Sequence, residues 1–320
     1  MDERDIESHP DLMNPDWQKH AEREAWIGAR RDRRRGKRRK TAAIAAAVVV
    51  VLAAVVAYLW TRPPADSTAS PVPPGPSATT SLATAPAPSD LPDEASVDLT
   101  KPFEGTPAQN WREGIDGLTV PPAAKVGAFS AKQVDDAQQQ VKQAIVLAHF
   151  DKGVLENHNA TAFVRLFAPN ERADLQAHAA TYVIFLADGN HLLPVSPRMS
   201  GTMTTRPGKD HELVMHVSYV VAYAFDPDGR TYHGPADLEP FVRVDQDYVL
   251  RVGAGWEERD RGLWLGEGGS YYTSIACGKL KEELLAPALA EANYDPPPLS
   301  KEPGQFDPAK PLPVNGNCTP

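Results

Sequence analysis

The chain lacks most of the signatures by which an enzyme is recognised from sequence. Its 320 residues hold neither a phosphate-cradling Walker loop nor a G-x-S-x-G nucleophile turn, which argues against phosphoryl transfer and hydrolysis on those scaffolds. Metal spacing is missing too. His211-Glu212 opens like a zinc-protease motif, but the next histidine is His216, whereas two ligands on one helical face need a spacing of about four residues. Asp226 and Asp228 begin like a calcium loop, yet Arg230 and Tyr232 stand at the following ligand positions, so the segment reads as a turn. No catalytic, cofactor or metal-ligating residue is assigned on these motifs. Cysteine is scarce: Cys277 and Cys318 are the only two, which leaves room for one intrachain bridge.

Positive charge is also in short supply over most of the chain. From residue 61 to the end there are 21 Lys/Arg against 33 Asp/Glu, whereas residues 1–40 hold 12 against 9. Nucleic acids need a basic surface to offset phosphate repulsion, so none is expected to bind the acidic part.

Opposite charges flank one apolar run. Thr41 to Trp60 reads TAAIAAAVVVVLAAVVAYLW, twenty residues without a charge, and as a helix such a run spans about 30 Å, the thickness of a bilayer core. Arg33, Arg34, Arg35, Lys37, Arg38, Arg39 and Lys40 crowd its leading side, and only Arg62 follows closely behind. The positive-inside rule then makes residues 1–40 a cytoplasmic basic tail, 41–60 a single transmembrane helix, and everything later extracellular. A cleaved leader is the competing reading of the same pattern. Outside the cytosol Cys277 and Cys318 are expected to pair, two free thiols being the alternative. Closing that loop stabilises the fold by roughly 3.5 to 4 kcal/mol and ties the tail back to the domain.

Residues 61–108 read as a disordered Pro/Ser/Thr/Ala linker. Nine of the thirty residues from Pro63 to Pro92 are proline, and the rest offer little to bury. An extracytoplasmic domain is expected over 109–294, with a proline-rich tail at 295–320. Ser130 with Gln133 fits a capping box, and Val134, Ala137, Val141, Ile145 and Ala148 recur at helical spacing behind it. Two short helices, Thr161 to Ala168 and Glu171 to His178, are expected to break at Pro169, with Phe163, Leu166 and Phe167 turned inward. The period then falls to two. Leu213, Met215, Val217, Tyr219, Val221, Tyr223 and Phe225 share one face of a strand, and Val214, His216, Ser218, Val220 and Ala222 the other. Asp226 to Gly229 is a turn, and Phe241 to Val252 a further strand. Met199 to Arg206 and Leu263 to Glu267 are weaker strands, and Lys279 to Ala290 a short helix. Trp264, Tyr271 and Tyr272 among glycines form an aromatic loop patch, or Trp264 plugs the open end of the sheet.

Helices first and antiparallel strands afterwards predict an α+β domain in which a curved sheet wraps the long helix. This order resembles the nuclear-transport-factor-2-like, or cystatin-like, cone fold, with "FVRLFAPNERADL" at Phe163 to Leu175 resembling the segment after its first helix. The whole architecture is also similar to uncharacterised actinobacterial single-pass envelope proteins and to bitopic assembly subunits of conjugation and type IV secretion machines. The first resemblance implies that a concave pocket can carry acid–base pairs, for which His216, Tyr219, Tyr223 and Asp245 are the candidates; tyrosines on an apolar strand face are otherwise core. The second implies protein contacts and self-association in the envelope. A membrane-anchored, non-enzymatic binding or assembly protein is therefore expected. The alternatives are a small-molecule sensor or carrier, which needs a pocket of about 300 Å³ or more, and an enzyme with an acid–base pocket in the sheet.

Overall fold

The computed structural model describes residues 86–92, 94–209, 211–291, 304–313 and 318. The expected basic tail with Arg33, Arg34, Arg35, Lys37, Arg38, Arg39 and Lys40, the apolar segment 41–60 and the first part of the linker lie outside them. Among the described residues no helix is long and apolar enough to cross a membrane.

The domain is α+β. Its long helix α1 (Ala131–His149) starts at the capping box: the Ser130 hydroxyl accepts from the Gln133 backbone N–H at 3.3 Å while Gln133 Oε1 accepts from the Ser130 N–H at 2.9 Å. Two orphan amides of the first turn are thereby satisfied. Val134, Ala137, Val141, Ala144, Ile145 and Ala148 form its buried stripe. Short helices α2 (Lys152–Leu155), α3 (Thr161–Arg165) and α4 (Arg172–Ala177) follow. The first of the two expected helices ends at Arg165, short of Ala168, because Phe167 bridges to Leu263, and Pro169 lies in the connection to α4; Phe163 and Phe167 are buried and Leu166 partly so.

Six strands make one curved sheet: β1 (Arg112–Glu113), β2 (Leu118–Thr119), β3 (Arg198–Pro207), β4 (Glu212–Ala222), β5 (Phe241–Arg251) and β6 (Gly262–Thr273), in the order β1-β3-β4-β5-β6 with β2 beside β3. All pairings are antiparallel except that of β2. A register shift between Gln246 and Tyr248 bends β5 against β6, since an extra residue on one strand steepens the local twist. Leu213, Met215, Val217, Tyr219 and Val221 of β4 meet the α1 stripe in the main core. Gly201 makes this possible for Tyr219: a Cβ there would lie 2.3 Å from Tyr219 Cβ.

Three findings differ from the sequence reading. The linker expected over 61–108 is packed in part. Val220, Ala222 and Phe241 join Leu91, Phe103, Ala108 and Leu193 in a second apolar cluster, so packed structure begins well before residue 109. The proline-rich tail contributes as well, Phe306 lying against that cluster. The helix expected over 279–290 shrinks to α6 (Cys277–Lys281), which follows α5 (Pro235–Leu238) along the chain. Glu283 takes φ +63°, and Leu285 then donates to Phe185 O at 2.7 Å while Ala286 O accepts from Ala276. Backbone partners outside the segment outweigh its local helical preference.

Candidate functional site

Strand parity decides where the candidate residues go. His216 and Tyr219 are an odd number of residues apart on β4, so their side chains leave opposite faces of the sheet. Tyr219 and Tyr223 point inward, and His216 and Asp245 outward. The sheet therefore does not gather the four into one concave pocket.

Inside, the two tyrosines close on a residue the sequence reading passed over. His149 ends α1, four residues after Ile145 on the same stripe, and is 3% exposed. Its Nδ1 lies 3.0 Å from Tyr223 Oη and its Nε2 2.8 Å from Tyr219 Oη, and Tyr223 Oη also donates to the His149 carbonyl at 3.3 Å. One tautomer uses every proton: Nδ1–H donates to Tyr223, Tyr223 to the carbonyl, and Tyr219 to Nε2. Burial pushes the His149 imidazole down to about 3. Burial, with smaller contributions from neighbouring tyrosines, holds the phenols of Tyr219 and Tyr223 well above their ordinary range. These three groups stay neutral and out of contact with water. They tie the end of α1 to β4 and to the residue that follows its last position.

Outside, β4 and β5 pair His216 with Asp247 and Ser218 with Asp245. His216 Nδ1 lies 3.0 Å from Asp247 Oδ1, and its Nε2 is 3.8 Å from Asp245 Oδ2. Arg206 on β3 reaches the other oxygen of Asp247 at 2.8 Å. The His216 side chain is 36% exposed. The arrangement orients a part-exposed imidazole between two carboxylates on the outer face of the sheet. Neither Asp247 nor Arg206 had a sequence signal, because the registers of β5 and β3 against β4 are not written in the strands themselves.

Beside this cluster the tail crosses the sheet. Arg243 of β5, fully buried, donates through its guanidinium to the carbonyls of Gly304, Lys310 and Pro311. The Ser218 hydroxyl donates to Pro308 O at 2.7 Å. Phe306 meets Phe241 edge-on with ring centroids 4.7 Å apart. Cys318 is bonded to Cys277 of α6, with Cα atoms 5.3 Å apart. The expected disulfide thus fastens a strap across the outer face.

Two further features complete the surface. The glycine-rich stretch around Trp264 is strand β6, not a loop, and the Arg251 guanidinium lies over the Trp264 ring at 4.2 Å and over the Trp256 ring at 4.4 Å. Glu212 holds that guanidinium at 3.1 Å. A half-open cleft of about 190 Å³ lies between Val183, Ile184, Phe185, Tyr272, Leu280 and Leu284, smaller than the roughly 300 Å³ of ordinary small-molecule pockets.

No protein family, curated protein or solved structure matches this chain.

Proposed function

We propose that this chain is a membrane-tethered protein of the cell envelope whose C-terminal domain lies outside the cytoplasm and acts by binding protein, as a subunit or accessory of an envelope assembly. The observation that carries this reading is the packed core between the end of α1 and β4 on the inner side of the sheet. His149, Tyr219 and Tyr223 satisfy one another there, so the position at which a cone-shaped domain of the nuclear-transport-factor-2-like kind would hold a substrate is occupied by core. The outer surface offers a recognition patch, where the Arg251 guanidinium lies over the rings of both Trp256 and Trp264. Tryptophan and arginine are enriched where protein partners bind tightly. The Cys277–Cys318 bridge suits an oxidising compartment, and the uncharged run at 41–60 suits lipid.

Chemical crosslinking of intact membranes tests the reading. Discrete protein adducts or homo-oligomers of the chain are expected, and adducts to lipid alone would count against it. One observation favours a second reading, an acid–base enzyme: the contact between His216 and Asp247 at 3.0 Å meets the distance such a pair needs. Loss of an in vivo phenotype in His216→Gln, with crosslinked adducts unchanged, would move the balance to it.

A further inference from the structure

The strap is bound as a ligand is bound. Its contacts with the sheet run mainly to its own backbone: Arg243 takes the carbonyls of Gly304, Lys310 and Pro311, and Ser218 that of Pro308. A single aromatic side chain, Phe306, anchors it on Phe241. Recognition of this kind asks little of the occupant beyond an extended backbone, an aromatic residue at one end and prolines to hold the rest extended. The groove also cannot stand empty without cost. With the strap in place Arg243 is 0% exposed; emptying the groove exchanges its three carbonyl acceptors for water and uncovers the apolar ring of Phe241, and exposing apolar surface is unfavourable.

We propose that the outer face of β4 and β5 is a docking groove for an extended, aromatic- and proline-containing peptide segment, and that the chain's own residues 304–313 occupy it as a resident ligand latched by the Cys277–Cys318 disulfide. The latch opens by thiol–disulfide exchange with a dithiol, which passes two electrons and two protons to the two cysteines and is itself oxidised to a disulfide. While the bridge is closed, the strap faces the groove at an effective concentration that an incoming segment cannot match. Once it is open, the strap is tethered only by the chain that leads into it and held by its noncovalent contacts, its effective concentration falls, and a partner segment of like chemistry competes for its place. The inference rests on the binding role proposed above and names the partner's chemistry.

The probe is a fluorescein-labelled peptide of the strap's own sequence, GQFDPAKPLP, titrated by anisotropy into the full-length chain. Binding to Phe306→Ala/Cys318→Ser is expected to be at least about tenfold tighter than to the oxidised wild type, and to weaken about tenfold when the peptide's phenylalanine is replaced by alanine. Native near-UV dichroism of the double variant is the control for folding. Should that variant be unfolded, the wild type serves: chymotryptic cleavage after Phe306 is expected to accelerate about tenfold after dithiol treatment. Equal affinity for both chains, absence of binding to a natively folded double variant, or a cleavage rate indifferent to reduction would overturn the proposal. Peptide binding without any crosslinked partner in membranes would instead remove the envelope-assembly reading and leave the groove standing.

Discussion

Acid should leave the stability of this domain almost unchanged, because two buried groups oppose one another. His149 is held neutral, its imidazole down to about 3 from an ordinary 6.5. A folded value below the unfolded one means that its contribution is complete above about 6.5 and is lost as pH falls towards 3. Between pH 7 and pH 5 the unfolded chain gains a proton that the folded chain refuses, which costs about 2 kcal/mol. Glu239 does the reverse. It is fully buried, and burial pushes its carboxyl up to about 9 from 4.5, against the weaker lowering pull of the Thr106 hydroxyl and the Arg198 guanidinium. A folded value above the unfolded one means that its contribution is complete below about 4.5 and is lost as pH rises towards 9. From pH 7 to pH 5 that group returns about 2.5 kcal/mol. The wild type is therefore expected to show nearly equal urea midpoints at the two pH values. His149→Gln removes the first titration and should become more stable in acid by about 2.5 kcal/mol, while Glu239→Gln should lose about 2 kcal/mol. Differences within each chain are read, so the absolute cost of either substitution does not enter. If the midpoints of all three chains move together, the neutral histidine and the neutral carboxyl are both wrong.

Other outcomes follow from the same contacts. Gly201→Ala is expected to destabilise the domain by about 1 to 3 kcal/mol in thermal or urea unfolding, because the new methyl meets Tyr219 Cβ at 2.3 Å in a site without room to relax. Ile145→Ala, at 0% exposure in the α1 stripe, should cost about 2 to 5 kcal/mol in the same assay. Cys277→Ser should lower stability by roughly 3.5 to 4 kcal/mol and abolish the sensitivity to dithiol expected of the wild type. Carbonate-washed membranes should retain the full-length chain, whereas a soluble form starting near Ala65 would point to a cleaved leader.

Much of the core was legible because period and chemistry agree there. The stripe from Val134 to Ala148 repeats at helical spacing, and Leu213 to Val221 alternates. Each pattern has one structural solution when a face must be buried. Parity within β4 was equally legible and separates His216 from Tyr219 without any coordinates. The inner triad was half-visible: His149 sits where the stripe continues, and a histidine on an apolar stripe announces burial, though not its partners. The outer cluster was hidden, since Asp247 meets His216 only through the β4–β5 register and a shift of one residue would send it to the other face. The strap was the least legible. Proline-rich composition predicts little burial on average, yet here the sheet supplies the donors, through Arg243 and Ser218, to a segment rich in carbonyls. The two cysteines were the only sequence signal that the tail returns.

The central claim is that this domain works outside the cytoplasm, tethered by the run from Thr41 to Trp60. A phosphatase reporter, active only outside the cytosol, joined behind Pro320 tests it most directly. The account predicts an active reporter at the cell surface. An inactive one, with a cytosolic reporter at the same junction fully active, would contradict it.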